Sequence, residues 1–543
     1  MTFKITDRAI LLFLLTIAAI LRVISCNKYV LMDEIPIFLN IYNFITNHTL
    51  MPTHFRYPTF YSYLSEIPTA LTALVLYIKG VIPDFSSIIA LHYLESVLPY
   101  LGARVTSAAF GIATVFLVFK AGVKFFNVKT GLIAAAFLVF SRTHIDYSGS
   151  ALPDVTMVFF AACSLFFSLS ALKSKSVRDF VFAGAFAGFA ASTKYNGALM
   201  VLLILSVHLI CIYDEKHLLS PRAWFNKRII FSGLVFACAF LIGSPGWVTN
   251  PLIFLKALLF ERVHMAAGHL GDFGVIYIRH LILFWSSEKT IAVFFGLGLL
   301  YAMFRRTRQD IVILVMALLS FVYIAGWQKK SLHYLMFLYP ALSLLSARLL
   351  SEIFTKINGR AARLSVFLIL ISVFGWPIYS ESMYAYQGVL QDNRRIAERW
   401  IHENIPEGSR IAIDWAYVPV LFTKEVKEEL VKGKDSKAYF ADHPMHIHTY
   451  DLTPLEYNPA WLAEVRADFL VTSSLCFDRF FKTPLPPPDN HLYNKAVNRK
   501  DTYGALFYDG KKYGWELLRE FSTGKGPRIL VYRRSETKEM TVL

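Results

Sequence analysis

The chain has 543 residues, 55% of them hydrophobic, a mean hydropathy of +0.46 and a formal net charge of +16. That balance excludes an ordinary soluble protein, because the sequence holds many runs near the ~20 apolar residues that cross a bilayer. In such a chain the basic excess belongs in cytoplasmic turns, and no basic-aromatic patch points to nucleic acid. Five scattered cysteines without a CxxC give neither a disulfide framework nor a zinc site.

Lys4 and Arg8 precede an apolar run from Ala9 to Ser25, read as an uncleaved first membrane helix with its N-terminus in the cytoplasm. A long loop, residues 27–100, follows and carries Asp33 and Glu34 near its start. An acid pair at the end of a first span is costly and calls for a function, the plain alternative being that both acids face water. Ile67 to Val81 is short and interrupted by Lys79 and Gly80, which predicts a helix lying at the interface rather than crossing. Further spans are expected near 101–121, 131–144, 153–172, 180–192, 197–213, 229–244, 291–304, 311–327, 334–350 and 364–379. The basic turns at 120–129, 173–178, 216–228, 305–308 and 356–363 then fall on alternate connections, as the positive-inside rule requires. The prediction is a multi-pass helical membrane protein of about eleven transmembrane helices over residues 1–380.

From about Ser380 the long apolar runs stop. Residues 381–543 are expected to form a soluble extracytoplasmic α/β domain. DNRRIAERWIHENI has helical periodicity, with Ile396, Trp400 and Ile401 on one side, and RIAIDW and DFLVTSS read as buried strands.

Several cations sit on the outer face against the charge rule: Arg56, Lys194, Lys329 and Lys330, with Arg104 opening the second span. Each alone reads as a snorkelling interfacial residue. Together they suggest a held anion, phosphate first. His144 and Asp154 flank the third outer loop, and an acid opening an apolar run is unusual, although a helix N-terminus also favours one. His443, His446 and His448 have an HxH spacing but no fourth ligand, so no metal site is predicted.

The order of Asp33-Glu34 after the first span, then RYPTFYSYL, then GARVTSAAFG, resembles membrane glycosyltransferases of the GT-C fold. The likeness is to dolichyl-phosphate-mannose–protein mannosyltransferases and lipid A aminoarabinose transferases. THIDYSGSALPDVTMVFF, GFAASTKYNGALMVL and KKSLHYLMFLYPALSLL are similar to later segments of those proteins, so the resemblance covers about residues 6–357. One departure is Thr59 after Pro58, where the family usually carries a second proline. The resemblance implies transfer of a sugar from a polyprenyl phosphate to an acceptor hydroxyl or phosphate on the outer face. The acceptor is a lipid, glycan or protein, and a mannosyltransferase-like hexosyl or pentosyl transfer is expected. Asp33 would be the catalytic base and Glu34 would orient the acceptor or a cation. Arg56, Arg104, Lys194, Lys330 and His333 would hold the donor phosphate, with Tyr57, His144 and Asp154 as further donor- or acceptor-site candidates. No cofactor is required, and a divalent cation is compatible. A bacterial plasma membrane is expected in preference to the endoplasmic reticulum.

Two other readings compete. A lipid-linked glycan transporter or flippase predicts repeat symmetry and acids at mid-membrane, whereas no repeat is visible and the acids sit at helix ends. An oligosaccharyltransferase-type enzyme would favour a DxD-like metal site, which Asp33-Glu34 is not.

Overall fold

The computed structural model describes residues 4–82, 84–85, 88–89, 91, 97–268, 272, 275–356, 360–389, 391–425, 448–524 and 526–535. The membrane half begins with α1 (Ile5–Ser25), α2 (Glu34–Asn47), α3 (Phe60–Ile78) and α4 (Leu101–Phe125). It continues with α5 (Val128–Val139), α6 (Arg142–Ser148), α7 (Asp154–Ser174), α8 (Val177–Thr193), α9 (Met200–Asp214) and α10 (Lys227–Gly243). It closes with α11 (Pro251–Ala267), α12 (Ile278–Glu288), α13 (Thr290–Arg305), α14 (Arg308–Ala325), α15 (Tyr339–Lys356) and α16 (Arg360–Val389). Among the described residues, seven helices are long and apolar enough to cross a membrane, or eight if α5 and α6 form one bent span. Each expected span falls on a helix. The count of eleven is not reached by length and composition, because α8 with 17 residues, α13 with 16 and α16 are not among the crossing helices.

α3 is not among the crossing helices. It buries Tyr61, Ser65, Thr69 and Ala73 and exposes Ile67, Leu71, Leu74 and Ile78, a polar inner face with an apolar outer one. That pattern suits a helix lying along a lipid surface. The core of the bundle packs Val115, Phe119, Phe137, Leu138, Val158, Leu203 and Leu344 together. α4 and α5 meet closely because Gly122 faces Gly131; a Cβ at Gly122 would stand 2.4 Å from the Gly131 Cα. Small residues at such crossings let two membrane helices share dispersion contacts.

The expected span at 131–144 is broken. α5 ends at Val139, and α6 leaves at 63°. Ser141 starts the new helix, its side chain accepting from the His144 amide. An N-cap inside an apolar run ends one helix and opens another.

α16 carries past residue 380 to Val389, so the second unit begins near 391. It holds α17 (Asn393–Asn404), β1 (Arg410–Ile413), β2 (Asp451–Pro454), β3 (Phe469–Ser473), α18 (Ser474–Lys482), α19 (Tyr493–Tyr508), β4 (Trp515–Phe521) and β5 (Ile529–Arg534). The sheet order is β2-β1-β3-β5-β4, with β1 parallel to β2 and β3, and β5 antiparallel to β3 and β4. RIAI and FLVTS are thus neighbouring strands, as their sequences suggest. Alternation buries Ala412, Leu470 and Leu530 under α18 and α19, and Ile411, Val471 and Ile529 under α17. This unit rests on the first loop of the membrane half: the Tyr29 hydroxyl accepts from the Val420 amide at 3.2 Å, and the Arg394 guanidinium lies 4.0 Å from the Tyr29 ring centre.

Candidate active site

Two adjacent acids at the start of α2 have opposite surroundings. Glu34 is fully buried. Arg104 of α4 donates to it twice, at 3.0 and 2.8 Å, and the amides of Leu31 and Ala151 donate at 2.7 and 2.6 Å. Burial pushes the Glu34 carboxyl up, but the Arg104 charge and these bonds outweigh it and hold it below the usual carboxylate range. Asp33 precedes the helix and is exposed, and among the described residues it makes no hydrogen bond or ion pair. This corrects two expectations. Glu34 has no capacity left for an acceptor. Arg104, also fully buried, spends its remaining donors on the Cys26 and Lys28 carbonyls and offers nothing to a phosphate. The pair ties the first loop to the bundle, and Asp33 is left standing on that anchored base.

Opposite it, α8 ends at Thr193 and Lys194 turns outward in extended conformation. A Cβ at Gly197 would meet the Ala190 backbone at 2.4 Å, so only glycine lets the chain fold back here. The Lys194 ammonium bonds Asp154 at 2.6 Å and lies 5.7 and 5.2 Å from the ring centres of Tyr57 and Tyr334. Asp154 therefore does more than open α7; it is the buried counter-ion of Lys194. Behind them the His333 Nδ1 sits 2.5 Å from the Tyr147 hydroxyl and 2.6 Å from Ser331 Oγ. Tyr57 has its hydroxyl pKa raised by burial and by the charges of Asp33, Asp154 and Glu261.

A third wall comes from α11. His264 Nε2 lies 2.9 Å from the Lys329 ammonium, and the Lys329 amide donates to the Met265 carbonyl at 3.1 Å. Burial, with Lys329 and Arg56 nearby, pulls His264 down to about 4, so a neutral imidazole accepts from the lysine. Burial also lowers Lys329 and raises Glu261. The Asp33 charge acts on Lys329, Glu261, His264 and Tyr57 alike, so all four are its electrostatic neighbours. Arg56 is exposed there, and among the described residues it has no carboxylate partner.

Lys330 does not join this cluster. Its charged neighbours are Asp272, Arg279 and Arg479, and Lys329 takes the place expected for it. His144 does not either: it is buried, its Nδ1 2.8 Å from an Arg22 guanidinium nitrogen. Sequence reasoning gave Glu261 and His264 no role because they lie in a connection read as an outer loop, although ERVH places them one helical turn apart. Thr59, where relatives carry proline, donates its amide to Ser244 and its hydroxyl to the Gly243 carbonyl, tying α3 to α10. Among the described residues no group of three or more His, Cys, Asp or Glu could hold a metal ion. His443 and His446 lie outside those residues.

Residues 91–247 match the family model described as dolichyl-phosphate-mannose-protein mannosyltransferase. The structure is similar to ArnT from Cupriavidus metallidurans bound to undecaprenyl phosphate, with TM-score 0.52 and 12% identity over 96% of this chain and 97% of that one. It is also similar to the oligosaccharyltransferase AglB from Archaeoglobus fulgidus in complex with an inhibitory peptide and a dolichol-phosphate. There the TM-score is 0.51, with 14% identity over 98% of this chain and 74% of that one. The fold is that of the GT-C glycosyltransferases. No curated protein sequence matches significantly. The family match covers the second to seventh expected spans, less than half of the chain, and within it the chain is similar to membrane mannosyltransferases. Arg104, Asp154 and Lys194 lie inside the matched segment, and Asp33 lies before it.

Proposed function

We propose that the chain moves a sugar from a polyprenyl-phosphate donor to an acceptor hydroxyl or phosphate at the outer face of the membrane. The observation that carries this reading is the exposed Asp33 carboxylate, unpaired among the described residues, which shares Glu261 as a charged neighbour with Lys329, Arg56 and Lys194. Asp33 takes the acceptor proton, the acceptor oxygen bonds to the anomeric carbon, and the bond from that carbon to the phosphate oxygen breaks. Lys329 and Arg56 offset the charge that grows on the departing phosphate, and Lys194, held by Asp154, supports them. Such cations make a divalent ion compatible but unnecessary. His333, bonded to Tyr147, shapes the pocket wall behind Lys194. The donor class is supported by the undecaprenyl phosphate and dolichol-phosphate held by the two similar structures. The N-terminus is cytoplasmic in this reading, the domain after 390 is extracytoplasmic, and the membrane is a bacterial plasma membrane.

The test is binding of polyprenyl phosphate to the purified full-length protein. Arg56→Gln and Lys329→Gln should each weaken it about tenfold, as expected for losing one charge-assisted bond. Unchanged affinity in both variants overturns the donor site.

A further inference from the structure

The domain above the site carries a feature that sugar transfer from a lipid donor does not use. After β1 the chain runs Asp414, Trp415, Ala416, Tyr417. Asp414 is buried and holds this turn in place. Its Oδ1 accepts from the Tyr457 hydroxyl at 2.7 Å and the Trp415 amide at 2.9 Å, and its Oδ2 from Thr472 at 2.6 Å and Tyr503 at 2.7 Å. Cys476 Sγ donates to the Ala416 carbonyl at 3.0 Å. Tyr417 takes a left-handed backbone, φ 57°, a conformation that an aromatic residue adopts only when its surroundings hold it there. That much anchoring presents the Trp415 ring outward, with the half-buried Tyr417 beside it. Trp415 is 47% exposed, and its ring meets Tyr417 edge-on at 6.3 Å.

The rings have cationic company. The guanidinium of Arg479 lies 5.9 Å and that of Arg499 5.5 Å from the Trp415 ring centre, and Arg499 also caps Tyr457 at 4.0 Å. Among the described residues neither arginine has a carboxylate partner: Arg479 donates only to the Leu475 carbonyl, and Arg499 Nε is buried without a hydrogen bond. An exposed indole with two uncompensated guanidiniums suits a flat sugar face beside an anionic group. The patch also borders the first loop: three residues after Tyr417 the Val420 amide donates to the Tyr29 hydroxyl at 3.2 Å, and the Asp33 charge acts on Tyr417.

We propose that Trp415, Tyr417, Arg479 and Arg499 form the docking platform for the acceptor, and that this acceptor is a glycan carrying phosphate or carboxylate. This rests on the reading of Asp33 as the transfer centre and extends it to the acceptor. The sugar ring stacks on the indole, the anion meets the arginines, and Tyr417 stands between this seat and Asp33.

The experiment uses full-length protein in phosphatidylcholine nanodiscs, titrated with glucosamine 1-phosphate as a probe. Glucosamine 1-phosphate should bind at least fivefold more tightly than glucosamine or inorganic phosphate alone. Trp415→Ala and the Arg479→Gln/Arg499→Gln pair should each remove that preference, and Trp415→Phe and Arg499→Lys should retain most of it. Polyprenyl phosphate should bind all of these variants as it binds the parent. Displacement of the probe by a phosphorylated glycolipid in the disc supports a membrane-borne acceptor. Displacement only by a soluble phosphorylated oligosaccharide supports a water-borne one, and displacement by neither overturns the proposal. Equal binding of neutral and phosphorylated sugar also overturns it, as does loss of polyprenyl phosphate binding in the platform variants. Failure of Arg56→Gln to affect polyprenyl phosphate, with the platform intact, counts against the donor site instead.

Discussion

Asp33 and Glu34 are neighbours in sequence, yet only one can take a proton from a substrate. Asp33→Asn keeps size and hydrogen-bonding capacity but removes the base. We predict normal insertion and a loss of transfer of at least ~100-fold; retention of a tenth of parental turnover would remove Asp33 from the role. Glu34→Gln breaks a buried ion pair and leaves Arg104 uncompensated, a loss of about 3–5 kcal/mol. Pairing it with Arg104→Met should recover part of that, since residues in one network are not additive; a fully additive double variant contradicts the pairing. The Glu34 carboxyl is held below its ordinary value of 4.5. Its contribution to stability is therefore complete above 4.5 and is lost as pH falls through the lower folded value. The parent's melting temperature in detergent should drop through that acid range more steeply than that of the Glu34→Gln/Arg104→Met pair, and parallel profiles would refute this. The acid pair itself was legible, because acids at the end of an apolar run stand out. The division of labour was not, since it depends on a partner 70 positions away in sequence. Glu261 and His264 were hidden for a similar reason: only packing brings α11 over the first loop.

The break between α5 and α6 decides where Tyr147 and Asp146 stand. α6 carries Tyr147 to His333, and Asp146 to Lys28 at 3.3 Å. Two buried charged groups hold this break. From α1, Arg22 donates to the Leu138 carbonyl at 3.0 Å and lies 2.8 Å from His144. From α12, Glu288 accepts from Ser141 Oγ at 3.1 Å, the Thr143 amide at 3.0 Å and the Tyr339 hydroxyl at 3.2 Å. Glu288→Ala should therefore cost about 1.5–3 kcal/mol for each charged bond it strands. The expected outcome is a lower melting temperature together with reduced transfer, because α6 loses its hold beside the site. Unchanged melting and transfer would show that Glu288 does not position α6. Hydropathy read straight through this break because Phe140 and its apolar neighbours continue the run. Ser141, followed by Arg142 and Thr143, was the available local signal of a new helix start. The end of α3 was legible at this scale, since its helix stops at Ile78, just before Lys79 and Gly80.

Among the described residues, ion pairs between connections of the membrane half fall into two groups. Lys175 with Asp214 at 3.7 Å, Arg228 with Glu215 at 2.8 Å, Arg308 with Asp214 at 2.7 Å and Arg348 with Asp310 at 2.6 Å gather turns that the charge rule puts inside. Lys28 with Asp146 and Lys194 with Asp154 belong to connections that the rule puts outside, where the domain after 390 rests on Tyr29. The sequence carries an expectation of orientation because turn charges act through the membrane potential and the insertion machinery, independently of how helices pack. The number of crossings is harder to read, because the bend at α5–α6 and the short α8 and α13 follow from packing. The orientation is tested at exposed Asp489 and Arg306. With the five native cysteines replaced, Asp489→Cys should react with a membrane-impermeant maleimide in intact spheroplasts, and Arg306→Cys should react only after lysis. The reverse pattern would turn the molecule over and place Asp33, Lys194 and Lys329 at the cytoplasmic face. The acceptor would then have to come from the cytoplasm, and the outer-face reaction proposed for this site would be excluded.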